Sequence, residues 1–169
     1  MKTIQSLFAQ KSWANNELFN AIAAIDSVKH DAQHAAAVHT AIRALNHIYV
    51  VDRIFQAHLL GEQHGYTATN TEATPELDEL QFSVAETDAW FESYVSKGSA
   101  EILSESLAFT FTDGDAGTMT REEMLLHVVT HGSYHRGNVG QILKSISVSP
   151  PRDLYTKFLH VNEPARRRV

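Results

Sequence analysis

MLLHVVTHGSYHRGNVGQIL, residues 124–143, is the stretch from which the rest of the chain can be read. As a helix it places His127, His131 and His135 four residues apart, so the three imidazoles step along nearly one stripe. Met124, Val128, Val139 and Ile142 continue that stripe, which marks it as inward-facing. Imidazoles at i and i+4 lie about 6 Å apart along the axis, close enough to reach one metal ion. His127 and His135 are about 12 Å apart, too far to share it easily. The helix therefore supplies two ligands, and a third must come from another element. The chain has ten histidines in 169 residues. At that frequency a triple H-x-x-x-H-x-x-x-H arises by chance in about one such sequence in thirty. A single H-x-x-x-H pair such as His30 and His34 is expected roughly half the time and carries little weight.

Upstream, residues 3–25 repeat Ile4, Leu7, Phe8, Leu18, Ile22 and Ile25 at helical spacing, with Asp26-Ser27 as the stop. A second helix is expected from about His39 to Leu60, after an Ala/His-rich polar segment, with Gly61 as its C-terminal stop. Residues 62–74 read as a loop. Thr74-Pro75 is expected to open a third helix that closes at Gly98, with a possible break near Phe82. Leu107–Thr112 alternates apolar and polar, turns through Asp113–Gly117 and returns at Thr118-Met119, the pattern of a short hairpin. Thr120 and Glu123 form a capping box that opens the histidine helix. Its end is expected near Ser147, before Pro150-Pro151, and Arg152–Leu159 could form a last short helix. Four long amphipathic helices with short connections imply an all-α four-helix bundle with a short hairpin before the last long helix. We expect one domain over residues 1–160 and a C-terminal tail over 161–169.

Composition narrows the function. The formal charge is −6 and the hydrophobic fraction 43%, an ordinary globular balance that argues against a nucleic-acid binder. Arg166-Arg167-Arg168 reads as a solvated tail. No cysteine is present, so disulfides and thiolate metal sites are excluded and any thiol must arrive as substrate. Neither a signal-peptide run nor a bilayer-length segment is visible, so the expected compartment is the cytoplasm, without membrane association.

The second helix offers two candidates for the third ligand. His47 and His58 are eleven residues apart, about 20° in phase and about 16 Å in height, so only one can join the site. His47 lies among apolar residues, whereas His58 sits in the last turn, where a histidine commonly serves the helix dipole. We select His47. Three imidazoles without a fourth protein ligand describe an open site for one divalent ion, zinc foremost, with nickel or iron compatible. Such an ion generates a nucleophile at neutral pH from a bound water or thiol. Around the triple, His127 reads as a packed histidine, Arg136 as a structural anchor, and Tyr134, Asn138 and Trp13 as packing residues. Asp52 lies about 140° from His47, poor placement for a ligand or base.

Asn46-His47, the block His131-Gly-Ser-Tyr-His135-Arg136-Gly137, Trp13-Ala14-Asn15 and the Leu107–Thr112 segment together resemble the DinB-like (damage-inducible) family over nearly the whole chain. The resemblance implies a metal-binding four-helix bundle whose three ligands map onto His47, His131 and His135. It also implies kinship with thiol-dependent S-transferases that use bacillithiol, mycothiol or glutathione, and a homodimeric state. The reading that follows is a metal-dependent transferase joining a small-molecule thiol to an electrophile, with no catalytic side chain named. The alternatives are a non-enzymatic metal-binding or stress-response protein and a hydrolase using a metal-bound water.

Overall fold

The computed structural model describes residues 2–25 and 31–167. The expected helix stop at Asp26-Ser27, His30 of the His30/His34 pair, and Arg168 lie outside them. In chain order the elements are α1 (Lys2–Ala23), α2 (Ala32–Leu60), α3 (Leu77–Lys97), the single turn α4 (Ala100–Leu103), β1 (Ser106–Thr110), β2 (Ala116–Thr120), α5 (Arg121–Ser145) and α6 (Tyr155–Asn162). A 3-10 turn follows at Pro164–Arg166, where Arg166 pairs with Glu163 on the surface.

The fold is an all-α four-helix bundle built from α1, α2, α3 and α5, with α2 packed most extensively on α5 and α1 on α3. Two apolar clusters fill it. Phe8, Val50, Ile54, Phe91, Met124, Leu125 and Val128 occupy one end. Leu18, Phe19, Ile22, Leu45, Ile48, Leu80, Val139 and Leu143 occupy the other. The inward stripe of the histidine helix thus lies in the core at Met124, Val128 and Val139, each fully buried. No helix among the described residues is long and apolar enough to cross a membrane.

Several boundaries differ from those expected. Helix α2 begins a full two turns earlier than His39, because Asp31 caps it by accepting from the Gln33 and His34 amides, and the following alanines are strong helix formers. The Ala/His-rich segment is therefore helix. His34 of the minor pair contacts Asp31 at 2.9 Å. Helix α3 starts at Leu77 rather than at Thr74-Pro75, with an extended Glu76 ahead of it. It does not break near Phe82, whose side chain is 65% exposed and so crowds nothing. Gly61 closes α2 in the left-handed conformation with φ 73°, the role its sequence position suggested.

The hairpin pairs Ser106 with Thr120 and Thr110 with Ala116 in antiparallel register. Ala116 and Gly117 are strand residues rather than turn. A Cβ at Gly117 would come 2.7 Å from the Phe111 ring and 2.8 Å from that of Phe109, so a larger residue there would force those rings to shift. The capping box between Thr120 and Glu123 is present in both directions. It launches α5 from the hairpin and sets the rotation of the histidine stripe.

Candidate metal centre

Helices α2 and α5 run antiparallel, which puts His47 level with His131 and His135 and puts Phe55 level with His127. The ligand atoms of His47, His131 and His135 lie within 4.8 Å of one another, and Nε2 of His47 is 3.0 Å from Nε2 of His131. Ring centroids of His47 stand 4.9 Å from His131 and 4.5 Å from His135. All three side chains are half-buried.

The surroundings of all three imidazoles are compatible with holding a metal. His47 donates its Nδ1–H to the Thr69 carbonyl at 2.6 Å, which leaves Nε2 as a bare lone pair aimed at the cluster. Thr69 is held by the loop after α2, whose next residues, Asn70 and Thr71, each accept from the buried Asn46 amide at 2.5 Å. The Asn46-His47 pair is therefore one unit: the asparagine fixes the loop, and the loop fixes the histidine. His131 is held down to about 3 by burial, then by the neighbouring His135, His47, His127 and Lys11. Burial, followed by His47, lowers His135 as well. Both are neutral at pH 7, as metal ligation requires. A set of three imidazoles fits zinc, nickel or iron equally in donor chemistry.

His127 does not reach the triple. Its ring stacks on Phe55 at 4.4 Å and on His131 at 5.4 Å, a packed histidine as expected. His58 departs from its expected dipole role. It is buried against Phe109 at 4.7 Å, and burial with the nearby His64 lowers it to about 4. The loop and hairpin form the rims of a cavity of about 510 Å³ lined by His58, His64, Tyr66, Phe109 and Phe111. That cavity opens beside His58, with the Phe55–His127 stack between it and the three imidazoles.

The other expected packing residues fare unevenly. Trp13 is only half-buried, tilted on Phe158 of α6 at 5.9 Å. Asn138 is exposed and Tyr134 is 68% exposed, the tyrosine standing edge-on to the His135 ring at 5.0 Å. Arg136 is structural: it is 3% exposed, donates to Asp153 at 2.8 Å and reaches Asn15 at 3.2 Å.

The sequence reading missed a buried charged group behind the site. Lys11 is fully buried, 2.7 Å from Asp52 and 2.5 Å from Asp88. Asn15 donates to the second Asp88 oxygen at 2.8 Å. Asp52 thus neither ligates nor serves as base; it holds a lysine. A lysine between Gln10 and Ser12 gives no one-dimensional sign of burial. The only hint was its phase, one turn ahead of Asn15 on the inner face of α1.

The fold and the histidine cluster agree with what sequence comparison returns. The DinB family model matches residues 1–167. The chain belongs to the DinB family. A curated relative, Protein DinB of Bacillus subtilis (strain 168), is 23% identical over 154 residues, spanning 87% of this chain and 88% of its own. Within this DinB protein, Asn15, Asn46, His47, His131, His135 and Arg136 all take part in the histidine cluster or in the polar contacts around it.

Proposed function

We propose that this DinB protein is a metal-dependent thiol S-transferase, with one divalent ion held by His47, His131 and His135. The observation that carries the reading is the convergence of three imidazoles whose ligand atoms fall within 4.8 Å of one another, on side chains that stay half-exposed. A buried structural site would be closed by four ligands, whereas three leave a position for a substrate. When bound, the ion supplies positive charge that holds a coordinated thiol as thiolate at neutral pH. The chain has no cysteine, so the sulfur comes from a low-molecular-weight thiol. That sulfur forms a new S–C bond to the electrophile, the leaving group departs with the bonding electron pair, and the thiol proton passes to solvent.

Elemental analysis of untagged protein tests the site, and a thiol screen tests the reaction. About one equivalent of metal in the parent, little in His47→Ala and His135→Ala, and turnover with at least one of bacillithiol, mycothiol or glutathione toward model electrophiles are expected. A loaded protein that leaves every thiol at its background rate overturns the transferase reading. Hydrolysis of activated esters by that same protein would identify bound water as the nucleophile.

A further inference from the structure

Among the described residues, three buried side-chain atoms have no hydrogen-bond partner: Asp52 Oδ1, His131 Nδ1 and Arg136 Nη2. His131 and Arg136 flank Gly132 on α5, and Asp52 lies on α2 in the ion group of Lys11, which itself approaches Gly132. A Cβ on Gly132 would lie 3.0 Å from Arg136 Nη1, 3.7 Å from Lys11 Cε and 3.8 Å from Ile48 on α2. Lys11 in turn holds Asp52 through Oδ2 at 2.7 Å, and its charge is felt at His131. The charge of Arg136 is felt at Asp52. The antiparallel register agrees: Asp52 lies one turn beyond Ile48 and just before Phe55, which stacks on His127. Asp52 therefore stands near the level of His131, about 140° around α2 from His47.

We propose that Asp52 is a positioning residue for His131, linked to it through one buried water that also receives Arg136 Nη2. An unpartnered buried polar atom is costly, and buried waters typically make about three hydrogen bonds to such groups. The water accepts from Arg136 Nη2–H and donates to Asp52 Oδ1. Its remaining valence faces His131 Nδ1. A water suits this place better than a direct carboxylate contact, because it can donate to a bare Nδ1 or accept from a protonated one. The imidazole ring is thus held in place in either tautomer, with Nε2 kept toward His47. Lys11, by occupying Oδ2, leaves Oδ1 as the oxygen that faces the water. Gly132 is the small residue that lets Lys11 and Arg136 approach.

This inference rests on the three-histidine reading for its functional meaning, and its test separates the two. In a crystal structure resolving ordered water, one water is expected within hydrogen-bond distance of Asp52 Oδ1, His131 Nδ1 and Arg136 Nη2. That arm needs no metal. Zinc affinity is then compared, by chelator competition, in Asp52→Asn and Asp88→Asn. Each removes one carboxylate from the same lysine. An asparagine at 52 must give its oxygen to Lys11 and so turns its NH2 toward the water, removing the acceptor; among the described residues Asp88 bonds Lys11 and Asn15. Asp52→Asn is expected to weaken zinc binding about 10- to 100-fold, and Asp88→Asn less than about threefold. Absence of the water overturns the link, as do equal losses in the two variants. If Asp52→Asn does not fold, the water alone decides. A parent protein that takes up no zinc sinks the metal reading while the crystal structure still judges the link.

Discussion

Nε2 of His47 and Nε2 of His131 face each other at 3.0 Å across the α2–α5 interface. Where both rings are neutral, His47 gives its ring proton to the Thr69 carbonyl, so His131 supplies the proton between them when no cation is present. Metal binding requires both Nε2 lone pairs, so that proton has to leave Nε2 and reappear on Nδ1. Long-range 1H–15N spectra are expected to show His131 as the Nε2–H tautomer in metal-free protein and as Nδ1–H after zinc loading. His47 keeps Nδ1–H throughout. A His131 that is already Nδ1–H without metal contradicts this contact.

The same geometry separates the three proposed ligands from their neighbours. His127→Ala removes a ring stacked on Phe55 and His131, and His58→Ala removes one packed on Phe109. Both variants are expected to retain about one equivalent of metal while losing thermal stability. His131→Ala is expected to lose the metal. Loss of stoichiometry in His127→Ala would make that residue a ligand after all.

Lys11 is fully buried between two carboxylates. Removing the cation leaves Asp52 and Asp88 buried without their counter-charge, so Lys11→Met is expected to cost about 3–5 kcal/mol in urea unfolding. A double variant that also replaces Asp52 with leucine is expected to lose less, since one of the stranded charges goes with it. A single variant within 1 kcal/mol of the parent (about the value of an exposed pair) would show that the pair contributes little.

The pH dependence of the metal-free protein has a definite sign. A histidine held below its ordinary value in the fold contributes stability that is full above about 6.5 and is lost as the pH falls toward its folded value. That value is about 3 for His131 and about 4 for His58; His127 and His135 move the same way through burial. Asp52 opposes them. Burial, then the neighbouring charges, leaves it at about 6, so its contribution is full below the ordinary carboxylate value and lost as the pH rises through 6. Four histidines outweigh one carboxylate, and the urea midpoint is expected to fall steadily from pH 7 to pH 4.5. The fall should be shallower in His58→Leu. A midpoint that rises over that range would contradict the burial of these imidazoles.

The bundle was legible because amphipathic period, the Thr120–Glu123 capping box and stop residues are local properties of the chain. Asp31 and the alanines after it were equally local, but their polar and histidine neighbours disguised a helix whose outer face is wet. Phe82 suggested a break only because sequence does not say which way a ring points. His47 could be preferred to His58 from its apolar setting alone. That His58 is buried too depended on the hairpin folding over it, a contact between segments about fifty residues apart.

By itself the sequence determined the four helices, the hairpin that launches the last of them, and the presence of three imidazoles able to meet, since spacing along a helix fixes height and phase. Tertiary structure alone decided what stands behind those imidazoles. The Thr69 carbonyl that orients His47, the Lys11–Asp52–Asp88 ion group and the approach of Lys11 and Ile48 to Gly132 join residues from different elements. Their proximity comes from how α1, α2 and α5 are packed, and no periodicity within any one helix encodes it.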